Sequence, residues 1–111
     1  MRYFQTRFLE PANVFIAGLD AKARQKLIYN IDRAEQSQDP RLFKKLKGHI
    51  WELRVRHGNM QIRLLAFWDK SENRNTLVVV THGFIKKVDK VHEKEIERAI
   101  YLRRKYFESI K

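Results

Sequence analysis

Hydrophobic and polar residues alternate most cleanly between Ile50 and Trp68. In Ile50-Trp-Glu-Leu-Arg-Val-Arg56, Trp51, Leu53 and Val55 fall on one side and Glu52, Arg54 and Arg56 on the other. This is the period-2 pattern of a strand with one buried face. Gln61 to Trp68 repeats it, with Ile62, Leu64, Ala66 and Trp68 on the apolar side. Gly58-Asn59 between the two segments is a two-residue hairpin signal. Such a turn pairs Arg56 with Gln61, Val55 with Ile62, Arg54 with Arg63 and Leu53 with Leu64. A slip of one residue would carry Ile62 onto the arginine side.

The rest of the chain divides by the same reasoning. Tyr3 to Leu9 alternates and predicts a first strand, ended by Glu10-Pro11. Pro11 starts a short helix with Val14, Phe15 and Ile16 inside and Gly18 closing it. Asp20 caps a longer helix whose apolar stripe is Ala23, Leu27, Ile31 and Ala34, with Ile28 beside it. That helix runs out in Gln36-Ser-Gln-Asp39 before Pro40. Arg41 to Lys47 reads as a basic connector, and Asp69 to Asn75 as a polar loop. Thr76 to His82 is a β-branched apolar run, the mark of a strand buried on both faces. The last helix, about Val91 to Ser109, carries Ile96, Ala99, Ile100 and Phe107 on one face, with Glu93, Lys94, Glu97, Arg98 and Arg104 in solvent. The predicted architecture is an α+β domain of order β-α-α-β-β-β-α spanning residues 1–111, a small antiparallel sheet packed against two N-terminal helices and a C-terminal one.

Charge changes this picture more than composition does. The net charge is +11, and residues 41–87 hold 11 Lys+Arg against 3 Asp+Glu. Basic charge gathered on a sheet region is the footprint of a nucleic-acid binder; an acidic protein partner would answer it too. The basic residues lie on strands rather than on an amphipathic helix, which disfavours a membrane surface. There is no cysteine, hence no disulfide, thiol nucleophile or thiolate metal site. No apolar run approaches membrane-spanning length and the N-terminus has no signal-peptide core, so a soluble cytoplasmic protein is expected.

The candidate chemistry is the arginine side of the hairpin. Arg54, Arg56 and Arg63 crowd together at a cost in repulsion, and two readings stand: a solvated basic face, or one that meets phosphate. Lys86 and Lys87 follow the third strand. Fixed cations of this kind stabilise charge developing on a phosphate, each well-placed donor contributing on the order of 10² to 10³ in rate. Phe84 reads either as core packing or as a platform for an unstacked base. His49, His57, His82 and His92 are scattered, and no metal-binding spacing is present.

Leu46-Lys-Gly-His-Ile-Trp-Glu-Leu-Arg-Val-Arg56, Arg63, His82-Gly-Phe-Ile-Lys-Lys87 and Glu93-Lys-Glu-Ile-Glu-Arg-Ala99 together resemble the HigB-type, phage-derived branch of the RelE/ParE toxin superfamily. The resemblance implies a RelE-like fold and the toxin of a type II toxin–antitoxin pair. In the HigB branch this is an endoribonuclease cutting mRNA in the ribosomal A site, without a metal or other cofactor, and neutralised by a helix-turn-helix HigA-type antitoxin. It implies Arg63, Lys86 and Arg56 as catalytic residues and Arg54 and Lys87 as RNA- or phosphate-binding ones; the residues themselves add His92 as a catalytic candidate, by position and imidazole chemistry, and Lys47 and Phe84 as RNA-binding candidates. The chain departs from the pattern in two places. Tyr101 and Tyr106 come too late to match the tyrosine that some relatives carry near the start of the last helix, leaving His92 or His82 for proton transfer. Val91-His92 stands where Thr-Pro is common, which makes Asp89 the nearest residue expected to cap that helix. Two rivals share the fold class: a ParE-like toxin that binds DNA gyrase and cleaves nothing, and a non-enzymatic RNA- or ribosome-binding domain.

Overall fold

A computed structural model describes residues 2–71 and 77–110. The elements run β1 (Gln5–Phe8), α1 (Glu10–Ala17), α2 (Ala21–Ser37), β2 (Phe43–Lys47), β3 (Ile50–His57), β4 (Met60–Asp69), β5 (Leu77–Lys86) and α3 (Glu93–Ser109). The predicted elements appear in the predicted order. One strand is new: Phe43–Lys47, expected as connector, is β2. Positions 72–75 of the polar loop and Thr76 of the predicted third strand lie outside the described residues.

The five strands form one sheet in the order β1-β5-β4-β3-β2. β2 to β5 are antiparallel neighbours, and β1 joins β5 in parallel. The β3–β4 register is the one the alternation requires, with Arg56 opposite Gln61, Arg54 opposite Arg63 and Leu53 opposite Leu64. Gly58 turns the hairpin at φ +60°, a left-handed conformation that costs glycine little. β5 is flanked on both sides, and Leu77 to His82 are all buried.

Helices cover both faces. On one, α1 and α2 enclose Leu53, Val55, Ile62, Leu64, Ala66, Val78 and Val80, with Phe4, Phe43, Trp51 and Trp68 packed ring against ring. Gly83 lets α1 approach, because a Cβ there would lie 2.3 Å from the Phe15 ring. Asp20 caps α2 by accepting from the Ala23 amide at 2.9 Å. On the other face, α3 covers Ile50 and Leu65 with Ile96 and Ala99, and Phe67 and Val79 with Tyr106.

Several helix positions differ from the expected sides. Val14, Ile28 and Ile100 are 62%, 58% and 48% exposed, while Ala12 and Tyr106 are buried. α3 rotates its inner stripe through Ile96, Ala99, Arg103 and Tyr106, which follows the i, i+3, i+7 rows and leaves Ile100 outside. The cap of α3 is His92, not Asp89: its Nδ1 accepts from the Lys94 amide at 3.2 Å.

Candidate functional site

A bulge in β5 assembles the site. Leu65 pairs with His82 and Ala66 with Val80, so Thr81 is an extra residue in the ladder. In an unbroken strand Val78, Val80, His82, Phe84 and Lys86 would share a face. The extra residue moves the last three to the opposite side. Phe84 then lies opposite Arg63, and Lys86 opposite Gln61, on the arginine face. Thr81 Oγ1 donates to the Leu65 carbonyl at 3.2 Å and lies 2.9 Å from His82 Nδ1, which ties the bulge down.

Arg54 and Arg56 of β3, Arg63 of β4 and Lys86 of β5 therefore come from three adjacent strands. Beneath them is Glu52, 3% exposed. Its Oε1 lies 3.7 Å from Arg54 Nε and its Oε2 3.8 Å from Arg63 Nε. Arg63 is equally buried, with Nη1 donating to the Ile62 carbonyl at 3.1 Å and Nη2 to Gln61 Oε1 at 2.9 Å. Neither Glu52 Oε2 nor Arg63 Nε has a hydrogen-bond partner. A buried charge is costly unless paired, so these two groups depend on each other.

Burial, and then the neighbouring Arg54, pushes the pKa of Arg63 down from its ordinary high value, with Glu52 opposing. Lys86 is also pushed down, first by burial and then by Arg63, with Glu52 opposing. Lys86 is thus the more readily deprotonated cation of the face, while the arginines stay charged.

Arg54, Arg56, Arg63 and Gln61 open onto a groove of about 580 Å³, closed on its other side by Lys26, Asn30 and Arg33 of α2 and by Arg41. Among the described residues that line it, none is acidic. Asn30 is buried there with Oδ1 unpartnered. The arrangement is suited to an anion with several oxygens, because each guanidinium presents a planar fork.

The predicted site residues fall into separate places. Arg54, Arg56 and Arg63 share the groove, and Lys86 stands beside it. Phe84 is half-buried, packed against the cluster under α3 with its ring 6.0 Å from that of His82. Lys87 is exposed where β5 ends, bordering a hollow with Lys86 and Asn59. Lys47 and His92 lie apart from the arginines in another hollow, where Lys47 Nζ pairs with Glu93 Oε1 at 2.8 Å. His82 is 1% exposed, with Nε2 3.1 Å from Glu95 Oε1, so both its nitrogens are engaged.

Sequence reasoning assigned no role to Glu52 or to the α2 side of the groove. The alternation had already placed Glu52 among three arginines, and that lone carboxylate was the signal. Lys26, Asn30 and Arg33 stand at i, i+4 and i+7, one row of a helix beside its apolar stripe.

The fold and groove define a small basic α+β protein that presents fixed cations on a sheet face. Residues 14–104 match the profile of the family described as phage derived protein Gp49-like (DUF891), and the chain belongs to it. Among solved structures it resembles a two-arginine mutant of the E. coli toxin RelE in the free state, with TM-score 0.63 and 21% identity over 91% of this chain and 97% of that one. It resembles RelE in the intact E. coli RelBE toxin–antitoxin complex at TM-score 0.55 and 20% identity, covering 79% and 99%. The archaeal RelE–RelB complex from Pyrococcus horikoshii matches at TM-score 0.51 and 11% identity, covering 75% and 94%. The chain therefore has the RelE fold, in agreement with the resemblance to the RelE/ParE superfamily read from its sequence. No curated protein matches it.

Proposed function

We propose that this protein is the toxin of a type II toxin–antitoxin pair and acts in the cytoplasm as a ribosome-dependent, metal-independent endoribonuclease. The observation that carries the reading is the groove between α2 and the sheet edge, lined by cations from several elements and by no described carboxylate. The Glu52 carboxylate lies beneath the cations and holds two arginines in place.

In the proposed reaction the RNA 2′-hydroxyl gives its proton to solvent water as its oxygen attacks the adjacent phosphorus, the P–O5′ bond breaks, a 2′,3′-cyclic phosphate forms, and the 5′-oxygen leaves with a proton. Arg54 and Arg56 hold the non-bridging oxygens as charge grows on them. Arg63 fixes the floor and meets the phosphate when Gln61 Oε1 gives way to a phosphate oxygen. Lys86, whose lowered pKa suits proton transfer, protonates the leaving 5′-oxygen. His92, already capping α3 beside Lys47 and Glu93, takes no part in this reading, and His92→Ala should retain cleavage. The partners are mRNA in the ribosomal A site and an antitoxin of the helix-turn-helix HigA type, which covers the groove with acidic or apolar groups.

The test is induced expression followed by mapping of mRNA 5′ ends. Cuts inside translated codons are expected. Intact mRNA accompanied by an SOS response would instead favour a gyrase-directed toxin.

A further inference from the structure

The chain has two tryptophans, Trp51 and Trp68, and both line a second groove of about 670 Å³. Its other walls include Lys45 of β2, His49 of the turn that follows it, and Arg103 and Phe107 of α3. No described lining residue is acidic. The inner sides of the tryptophans belong to the core, Trp51 stacking on Phe43 with ring centres 4.9 Å apart. Trp51, Trp68 and Phe107 are nevertheless only half-buried, so part of each ring meets the groove. Arg103 lies over Phe107, its guanidinium carbon 5.1 Å from the ring centre, and its Nε is buried with no hydrogen-bond partner.

This groove and the arginine groove sit at the two ends of β2, an edge strand. Arg41 and Leu42 border the first; Lys45, Gly48 and His49 border the second. Arg54 and Trp51 are three residues apart on β3, roughly 10 Å, and leave opposite faces, so a strand joining the grooves crosses the β2 edge, where Lys44 pairs with Glu52 and Lys45 with Trp51. Exposed Lys44 and Lys45 occupy the interval. Cations alone would serve an acidic peptide as well. Aromatic rings interleaved with cations are the usual platform for unpaired bases on a tracked phosphate backbone.

We propose that the second groove is a base-holding subsite for the same single RNA strand whose phosphate lies in the arginine groove, with the β2 lysines meeting the backbone between them. The inference rests on the RNA reading of the arginine groove. Base stacking at this subsite holds the strand in register while the arginines act on one phosphate.

The tryptophans make the test direct. The full chain is titrated with a 2′-O-methyl RNA of about 12 nucleotides, which cannot be cleaved, and with a trinucleotide of the same chemistry. Binding is followed by anisotropy and by tryptophan emission. The longer probe is expected to bind at least tenfold more tightly and to quench emission saturably. Lys44→Ala combined with Lys45→Ala should flatten the salt dependence by about 1.4 logarithmic units, at about 0.7 per lost phosphate contact. Arg54→Ala should weaken binding yet reach the same quench at saturation.

Binding of the longer probe with unchanged emission would overturn the subsite and leave the arginine groove intact. Quenching by polyglutamate but not by RNA would make the groove a protein-docking site and overturn the proposal. No binding of the longer RNA would overturn the subsite, while cleavage of translated mRNA decides the arginine-groove reading separately.

Discussion

Alternate residues of the same strands build the two faces of this sheet, and the faces differ in kind. Toward α1 and α2 the strands bury apolar side chains, from Leu53 to Val80, and α2 adds the buried polar Asn30. Toward α3 the same strands bury Glu52, Arg63, Asp69 and His82. Each of these needs a partner: Arg63 for Glu52, Ser71 and Tyr106 for Asp69, Thr81 and Glu95 for His82. One face supplies stability through area removed from water. The other spends some of it to hold charges in fixed places, which is what a site acting on phosphate requires.

The contrast can be broken most severely on the apolar side. Leu64→Ala should cost about 2 to 5 kcal/mol, because the fully buried site leaves a cavity. A thermal melt or urea titration measures it, and activity should follow only the folded fraction.

The charged side should behave differently. Arg63→Ala leaves buried Glu52 with only the more exposed Arg54 close by, and should cost about 3 kcal/mol as well as activity. Replacing both, as Glu52→Met with Arg63→Leu, should recover most of that stability and none of the cleavage. Denaturation of the single and double variants, run beside a cleavage assay, separates the two quantities.

A smaller effect is expected with pH. Burial lowers the pKa of His82, with Glu95 opposing and Arg98 reinforcing. As pH falls through the unfolded value of about 6.5, the unfolded chain takes up a proton before the folded one, so stability should fall with it. Melting temperatures of the wild type between pH 7 and 5 should decline more steeply than those of His82→Gln. The smallest effect belongs to the α3 cap: His92→Ala should cost about 0.5 to 1 kcal/mol of stability in the same melts, with cleavage retained.

Legibility in the sequence followed the strength of local pattern. The β3–β4 register was readable because strict alternation on both sides of Gly58-Asn59 allows one pairing. β2 was not, since Phe43-Lys-Lys-Leu-Lys47 is short and mostly charged and gains its strand form from pairing with β3. The three arginines could be placed together from alternation alone. Lys86 could be placed only near them, because its side depends on the Thr81 bulge, a property of the ladder and not of any one residue type. Ile28 and Ile100 look like core residues by type, yet α2 and α3 meet the sheet along neighbouring rows. Glu52 was visible but unread, because a lone acid on a basic strand face normally points to solvent.

The central claim is that Arg54 and Arg56 act on the scissile phosphate. Single-turnover cleavage of ribosome-bound mRNA by wild type and by Arg54→Gln with Arg56→Gln tests it most directly. With two donors removed at about 10² to 10³ each, the rate should fall at least about 10⁴-fold. Melting temperature should stay within a few degrees, since both side chains reach solvent. A folded double variant that cleaves at the wild-type rate would contradict the account.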